Sequence, residues 1–353
     1  MRKKLISLAT ASLLTIALAV PAWAHDGWSQ TNTPIVGSGE VSYVELLFGN
    51  HSNEHSSYRI DGNWNMDNSK VYVMTPAGKK MDISNTAFFT GEVKEVTNPK
   101  TNNYYVASFS SSTPGAYVIT VEGDSIFKHG DVASRTFRSA KSFVAVGDIP
   151  TLQRMQYLKG FNKQVSPDRA EFIPKFNPAA VTPNQTVPVQ LLLKGKPMAN
   201  TEVSLIRRST SDAQHFKTDT NGVVSFLTGP ADYYLLRAKP ATDEKVAGQY
   251  DSTNYEATMT FTVQKGDNVL PVETSNALPR IFVNGKSIHA PGLGWVDGSV
   301  AVDSSFIQDN IKSNYIGTGT VGLRSAAEAL GATVEYLAPV AGTRPSVYIY
   351  TSN

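Results

Sequence analysis

Residues 256–263 read Glu-Ala-Thr-Met-Thr-Phe-Thr-Val, with Ala257, Met259, Phe261 and Val263 alternating against Glu256, Thr258, Thr260 and Thr262. A period of two belongs to a pleated strand, whose successive side chains point to opposite faces. The stretch therefore predicts a strand with one buried and one wetted face. Gly115-Ala-Tyr-Val-Ile-Thr-Val121 repeats the logic, with Tyr117, Ile119 and Val121 on one face and Pro114-Gly115 as the turn before it. Many further short apolar runs are punctuated by Gly, Pro, Asn, Ser and Thr, which is how antiparallel sheets joined by turns are written.

These runs fall into three segments. In the first, residues 25–150, strands are expected at Ser42–Phe48, Lys70–Met74, Tyr104–Phe109, Ala116–Val121 and Ser142–Val146. Residues 151–177 form a connector in which Leu152–Phe161 reads as a short helix and Pro174 and Pro178 impose extended chain. The second segment, residues 178–265, carries strands at Val187–Leu193, Glu202–Arg207, Val223–Leu227, Tyr233–Ala238 and Glu256–Val263, with a turn at Asp219-Thr-Asn-Gly222. After a linker at 266–278, residues 279–353 mix the two periods. Asn284-Gly285 between apolar runs signals a type I′ hairpin, Val321–Leu330 a helix capped by Gly331, and Ala332–Tyr336 and Ser346–Tyr350 two strands. The expected fold is mainly β: two tandem β-sandwiches, immunoglobulin-like or prealbumin-like, followed by a small α+β module.

The N-terminus predicts export. Arg2, Lys3 and Lys4 precede the apolar run Leu5–Val20, and Ala22-Trp23-Ala24 offers small residues at the positions a signal peptidase reads. Residues 1–24 are therefore expected to be cleaved, leaving His25 as the mature N-terminus in a periplasmic, surface or extracellular protein. No later run is long and apolar enough for a membrane helix. Losing three basic and no acidic groups moves the formal charge from +2 to −1, a balance with no general attraction for nucleic acid. The chain has no cysteine, which excludes a thiol nucleophile, a disulfide and a lipid-anchored cysteine.

Chemistry would have to come from histidine. Of six histidines, His25, His51, His55 and His129 lie in the first segment. A mature N-terminal His25 offers its α-amino nitrogen and ring Nδ1 to one metal, in a nitrogen-rich set suited to Ni, Co or Cu. His51-Ser-Asn-Glu54-His55 places two imidazoles and a carboxylate within five residues. It matches H-x-x-E-H in form, but the zinc-protease motif needs a helix, and Gly49, Asn50, Ser52, Asn53, Ser56 and Ser57 make this a loop. The candidate metal ligands are thus His25, His51, Glu54, His55 and, in the turn Lys128-His-Gly-Asp131, His129; a solvated polar loop is the competing reading. His215 and His289 stand alone. No G-x-S-x-G elbow, phosphate loop or dinucleotide fingerprint is present, so no enzyme is expected.

With these residues in place, segments 25–263 resemble a family of bacterial secreted domains linked with nickel and cobalt uptake transporters. The resemblance rests on His25-Asp-Gly-Trp28, Leu47-Phe-Gly-Asn-His51 with Glu54, Arg138-Ser-Ala-Lys-Ser142 before Gly147-Asp148, Glu171-Phe-Ile-Pro174, Asn177-Pro178, Lys194-Gly-Lys-Pro197, Thr218-Asp-Thr-Asn-Gly222 and Tyr255–Phe261. The family pattern sets glycine directly before the histidine, where Asn50 intervenes here. Residues 279–353 resemble the copper amine oxidase N-terminal-like stalk domain of bacterial surface proteins. Phe282-Val-Asn-Gly-Lys286 and Leu323–Val334 carry this resemblance, with Gly322 in place of the usual proline. It implies display or spacing, without copper.

Three readings stay open. The first is an extracytoplasmic protein binding Ni²⁺, Co²⁺ or a similar divalent ion for an uptake system, with a membrane permease as partner. The second is a structural or adhesive surface protein facing a cell-wall component, its histidines incidental. The third is a copper enzyme with a histidine brace at His25.

Overall fold

A computed structural model describes residues 26–51, 60, 64–91, 103–265, 278–339 and 344–351. The described residues are mainly β, as the period-two patterning predicts. The strand bounds Glu202–Arg207, Val223–Leu227 and Ser346–Tyr350 coincide with those expected, and most others differ by a residue or two.

The first sandwich sets a four-stranded sheet, in the order Asp26–Thr31, Val41–Gly49, Asn103–Ser110, Phe88–Gly91, against a long hairpin. That hairpin is built from Gly115–His129 and Val132–Gly147, strands of 15 and 16 residues. Val44, Leu46, Phe48, Trp64, Ile119, Val121 and Val144 fill the space between them. In the second sandwich, Ala170–Pro174 and Thr186–Leu193 face a sheet containing Glu202–Arg207, Asp232–Ala238 and Ser252–Val263.

The two sandwiches are joined by hydrogen bonds as well as by chain. Ser252–Met259 runs parallel to Ser134–Lys141 in continuous register, so strands from both segments belong to one ten-stranded sheet. Residues of the connector differ from expectation too. The helix there stops at Met155, and Ala170–Pro174 pairs as a strand with Val189–Leu193, which supplies hydrogen-bond partners for this proline-bounded run.

One expectation is overturned. The face of Ser252–Val263 bearing Glu256, Thr258 and Thr260 is buried, not wet, because the strand Asp26–Thr31 lies across it. Thr258 Oγ1 donates to Gly27 O at 2.8 Å and Thr260 Oγ1 to Ser29 O at 2.6 Å. The hydroxyls find backbone carbonyls instead of water, so burial leaves neither of them unsatisfied.

In the third segment, Asn284 (φ 48°) and Gly285 (φ 82°) form the turn between Arg280–Val283 and Lys286–Ile288, the left-handed pair a type I′ hairpin demands. The helix Leu323–Ala329 is followed by Gly331 at φ 85°. A second helix, Ser304–Asn310, starts where the Asp303 side chain accepts from Ser305 N at 2.9 Å. The module has its own core around Phe306, Ile307, Leu323 and Ile349. It is nevertheless docked: Leu337, Tyr348 and Tyr350 lie in the same core cluster as Phe143, Phe161 and Phe172. Asp148 holds it further, accepting from Tyr348 Oη at 2.6 Å and pairing with Arg280.

Candidate functional site

The Asp-Gly-Trp run that opens the described chain forms a buried polar seam between the sandwiches. Asp26, 2% exposed, meets Arg237 at 2.8 Å and Lys239 at 2.6 Å. Glu256 accepts from Gly27 N at 2.7 Å and faces Arg138 at 3.5 Å. Two carboxylates thus sit among three cations, every one in an ion pair. Gly27 has a steric reason: a Cβ there would lie 2.9 Å from the ring of Trp64. Trp28, fully buried, packs with Leu47, Ile206 and Leu235 and so ties the first strand to the second sandwich.

His51 stands at this seam, 3% exposed, with its ring 5.5 Å from that of Trp28 in edge-to-face geometry. Its Nε2 lies 3.5 Å from Tyr233 O, and Nδ1 is buried without a hydrogen-bond partner among the described residues. Burial, reinforced by the charge of Arg208, lowers its pKa to about 4. The imidazole is therefore neutral at ordinary pH, the state in which a histidine ligates metal.

The other sequence candidates fare differently. His25, Glu54 and His55 lie outside the described residues, as does the side chain of His129. The His129 backbone pairs with Val132 at the tip of the long hairpin. Gly123, beside Trp64 at the seam, is six residues away along that strand, roughly 20 Å. Among the described residues, no three His, Asp or Glu side chains converge as a metal site would require. His215, on an edge strand, meets Ser204 Oγ at 3.2 Å and Glu202 at 3.3 Å.

Sequence reasoning missed the charges of the seam, because Glu256 sat on the face read as wet. It also missed a pair deeper in the fold. Lys141 and Glu171, both fully buried, meet at 2.7 Å; Lys141 also donates to Phe172 O at 2.8 Å, and Glu171 accepts from Val165 N at 3.0 Å. Desolvation pushes the lysine pKa down. The Arg138–Ser142 and Glu171–Pro174 runs, distant in sequence, are therefore two halves of one buried ion pair.

This arrangement defines a protein of linked β-sandwiches with an α+β module docked on them. Residues 22–242 match the family described as a domain of unknown function (DUF4198), and the chain belongs to that family. No curated protein matches it. Among solved structures, the Escherichia coli adhesin FdeC is similar at 11% identity, over 65% of this chain and 63% of that one, with a TM-score of 0.17. A DUF4785 family protein of Legionella pneumophila is similar at 12%, over 65% and 54%, with a TM-score of 0.21. A 1.5-MDa bacterial ice-binding adhesin is similar at 10%, over 93% and 98%, also at 0.21. Likeness at such scores carries no argument about function. Among the described residues, no helix is long and apolar enough to cross a membrane.

Proposed function

We propose that the chain is an exported, non-enzymatic surface protein, a rigid β-scaffold that holds a binding face toward a cell-wall or other extracellular component. The observation that carries this reading is the common core. Leu337, Tyr348 and Tyr350 of the third module are buried with residues of both sandwiches, and the sandwiches share a sheet. Such welding resists bending between modules, which suits a protein that presents a surface under mechanical load. Export rests on Arg2–Lys4, the run Leu5–Val20 and Ala22-Trp23-Ala24.

A second reading, binding of Ni²⁺, Co²⁺ or Cu²⁺ on behalf of an uptake permease, is favoured by His51. Its imidazole is neutral, and its Nδ1 has no partner among the described residues. Asp26, next to His25 in sequence, pairs with Gly49, two residues before His51. That register is what a shared site for His25 and His51 would need; Glu54 and His55 would be helpers, and His129, at the far hairpin tip, would not.

Calorimetric titration of Ni²⁺, Co²⁺ and Cu²⁺ into mature protein beginning at His25, beside a variant with one extra N-terminal glycine, separates the two. The scaffold reading expects no saturable site in either protein. A one-to-one site lost on adding the glycine would replace it with the metal reading. Affinity would then fall as pH drops below about 6, because amine and imidazole must be unprotonated to ligate.

A further inference from the structure

Beside the C-terminal half of the first strand, the seam opens into a cleft of about 930 Å³, within the range of small-molecule sites. Its walls carry amide, carboxylate and guanidinium groups and the Lys265 ammonium around one tyrosine ring. Gln30, 7% exposed, links two of them: its Nε2 donates to Glu45 Oε2 at 2.5 Å, and its Oε1 accepts from Arg208 Nη1 at 3.1 Å. The guanidinium in turn lies 5.6 Å from the centre of the Tyr233 ring. Two further amides are pinned at one end. Asn32 Oδ1 accepts from Tyr43 N at 2.9 Å, and Gln264 Nε2 donates to Ala179 O at 2.7 Å.

Planar polar groups held in this way keep their orientation before any ligand arrives, which lowers the entropy cost of binding. The composition also discriminates between ligand classes. An apolar ligand would desolvate Glu45 and Arg208 without replacing their hydrogen bonds. A metal ion would face Arg208 and Lys265, and a small anion would face Glu45 and Asp232, in a space far larger than either ion. A sugar ring fits both features. Its adjacent hydroxyls donate and accept at once, matching amide, carboxylate and guanidinium groups, while its C–H face covers an aromatic ring.

We propose that this cleft is an oligosaccharide-binding site, with Tyr233 as the stacking platform and Asn32, Glu45, Arg208 and Gln264 as hydroxyl partners. The volume takes about two to three pyranose units. The proposal rests on the scaffold reading and names the class of its extracellular partner.

The test is calorimetric titration of the whole mature chain, stripped of metal with EDTA, against maltotriose, cellotriose, laminaritriose and triacetylchitotriose. One-to-one saturable binding of at least one of them is expected. Tyr233→Ala should weaken it about tenfold or more, while Tyr233→Phe, which keeps the ring, should stay within about threefold. Asn32→Ala should weaken it with no more than a small drop in the thermal midpoint, and His215→Asn, on an edge strand outside the cleft, should leave it alone. Saturable binding of none of the four, or binding indifferent to Tyr233→Ala, overturns the proposal. If metal also fails to bind, the scaffold reading survives that loss; a terminal metal site would remove the scaffold reading whatever the sugars do.

Discussion

His51 shows how far burial changes what a side chain can do. Its pKa is lowered from 6.5 to about 4, chiefly by desolvation, so between those values the unfolded chain binds a proton that the folded chain refuses. Stability should therefore fall as pH drops from about 6.5 to about 4, by roughly 3 kcal/mol, and level off below. Urea titrations across that window should show this component vanish in His51→Asn. Lys141 poses the opposite case, a charge kept buried by its partner. Lys141→Ala leaves Glu171 unpaired in the core and should cost about 3–5 kcal/mol, whereas Lys141→Met with Glu171→Leu should recover much of the loss. At this scale the sequence showed which residues carry chemistry but not their surroundings. His51 stood among loop-forming residues, and nothing near it in sequence announces Trp28 or Tyr233 as its neighbours.

Among the elements, the strand Ser252–Val263 was legible and its environment was not. If its threonine face were wet, Thr258→Val or Thr260→Val would change stability by no more than about 0.5 kcal/mol. Because each hydroxyl satisfies a buried carbonyl of the first strand, each substitution should cost about 1–2 kcal/mol, measurable by urea unfolding. The Asn284-Gly285 turn, by contrast, was readable in both place and type, since φ > 0 at both positions is a local demand. What its tip touches was not readable. A Cβ on Gly285 would come within 2.9 Å of Ser112 O and of Thr113 Cα in the first sandwich. Gly285→Ala should therefore cost about 1–3 kcal/mol, through turn strain and loosened docking together, seen as a lower thermal midpoint.

For the whole molecule the question is whether the third module is a stalk or a part of the body. An independent stalk could be removed without consequence. Removing residues 266–353 here would uncover the core around Phe143, Phe161 and Phe172, and leave Asp148 without Arg280 and Tyr348. The truncated protein should melt at least about 5 °C below the full chain by calorimetry, and the full chain should unfold in one cooperative transition.

The sequence by itself determined the mainly β character, the approximate place of most strands, the type I′ turn and the helix before Gly331, because each is dictated by residues within a few positions of one another. The full length of the hairpin strands Gly115–His129 and Val132–Gly147 was not legible. The fate of each face was decided by the tertiary structure alone. Gly27 and Thr258 are 231 residues apart, yet their hydrogen bond turns a pattern written for water into part of a core. Lys141 and Glu171, in runs that each look ordinary, become a buried pair only once two strands have been brought face to face. The cleft at Tyr233 likewise exists only because the first strand, which closes one sandwich, also packs against the other. Period and turn chemistry are local and can be read from the chain. Burial depends on which distant strand arrives, and no short stretch of sequence carries that information.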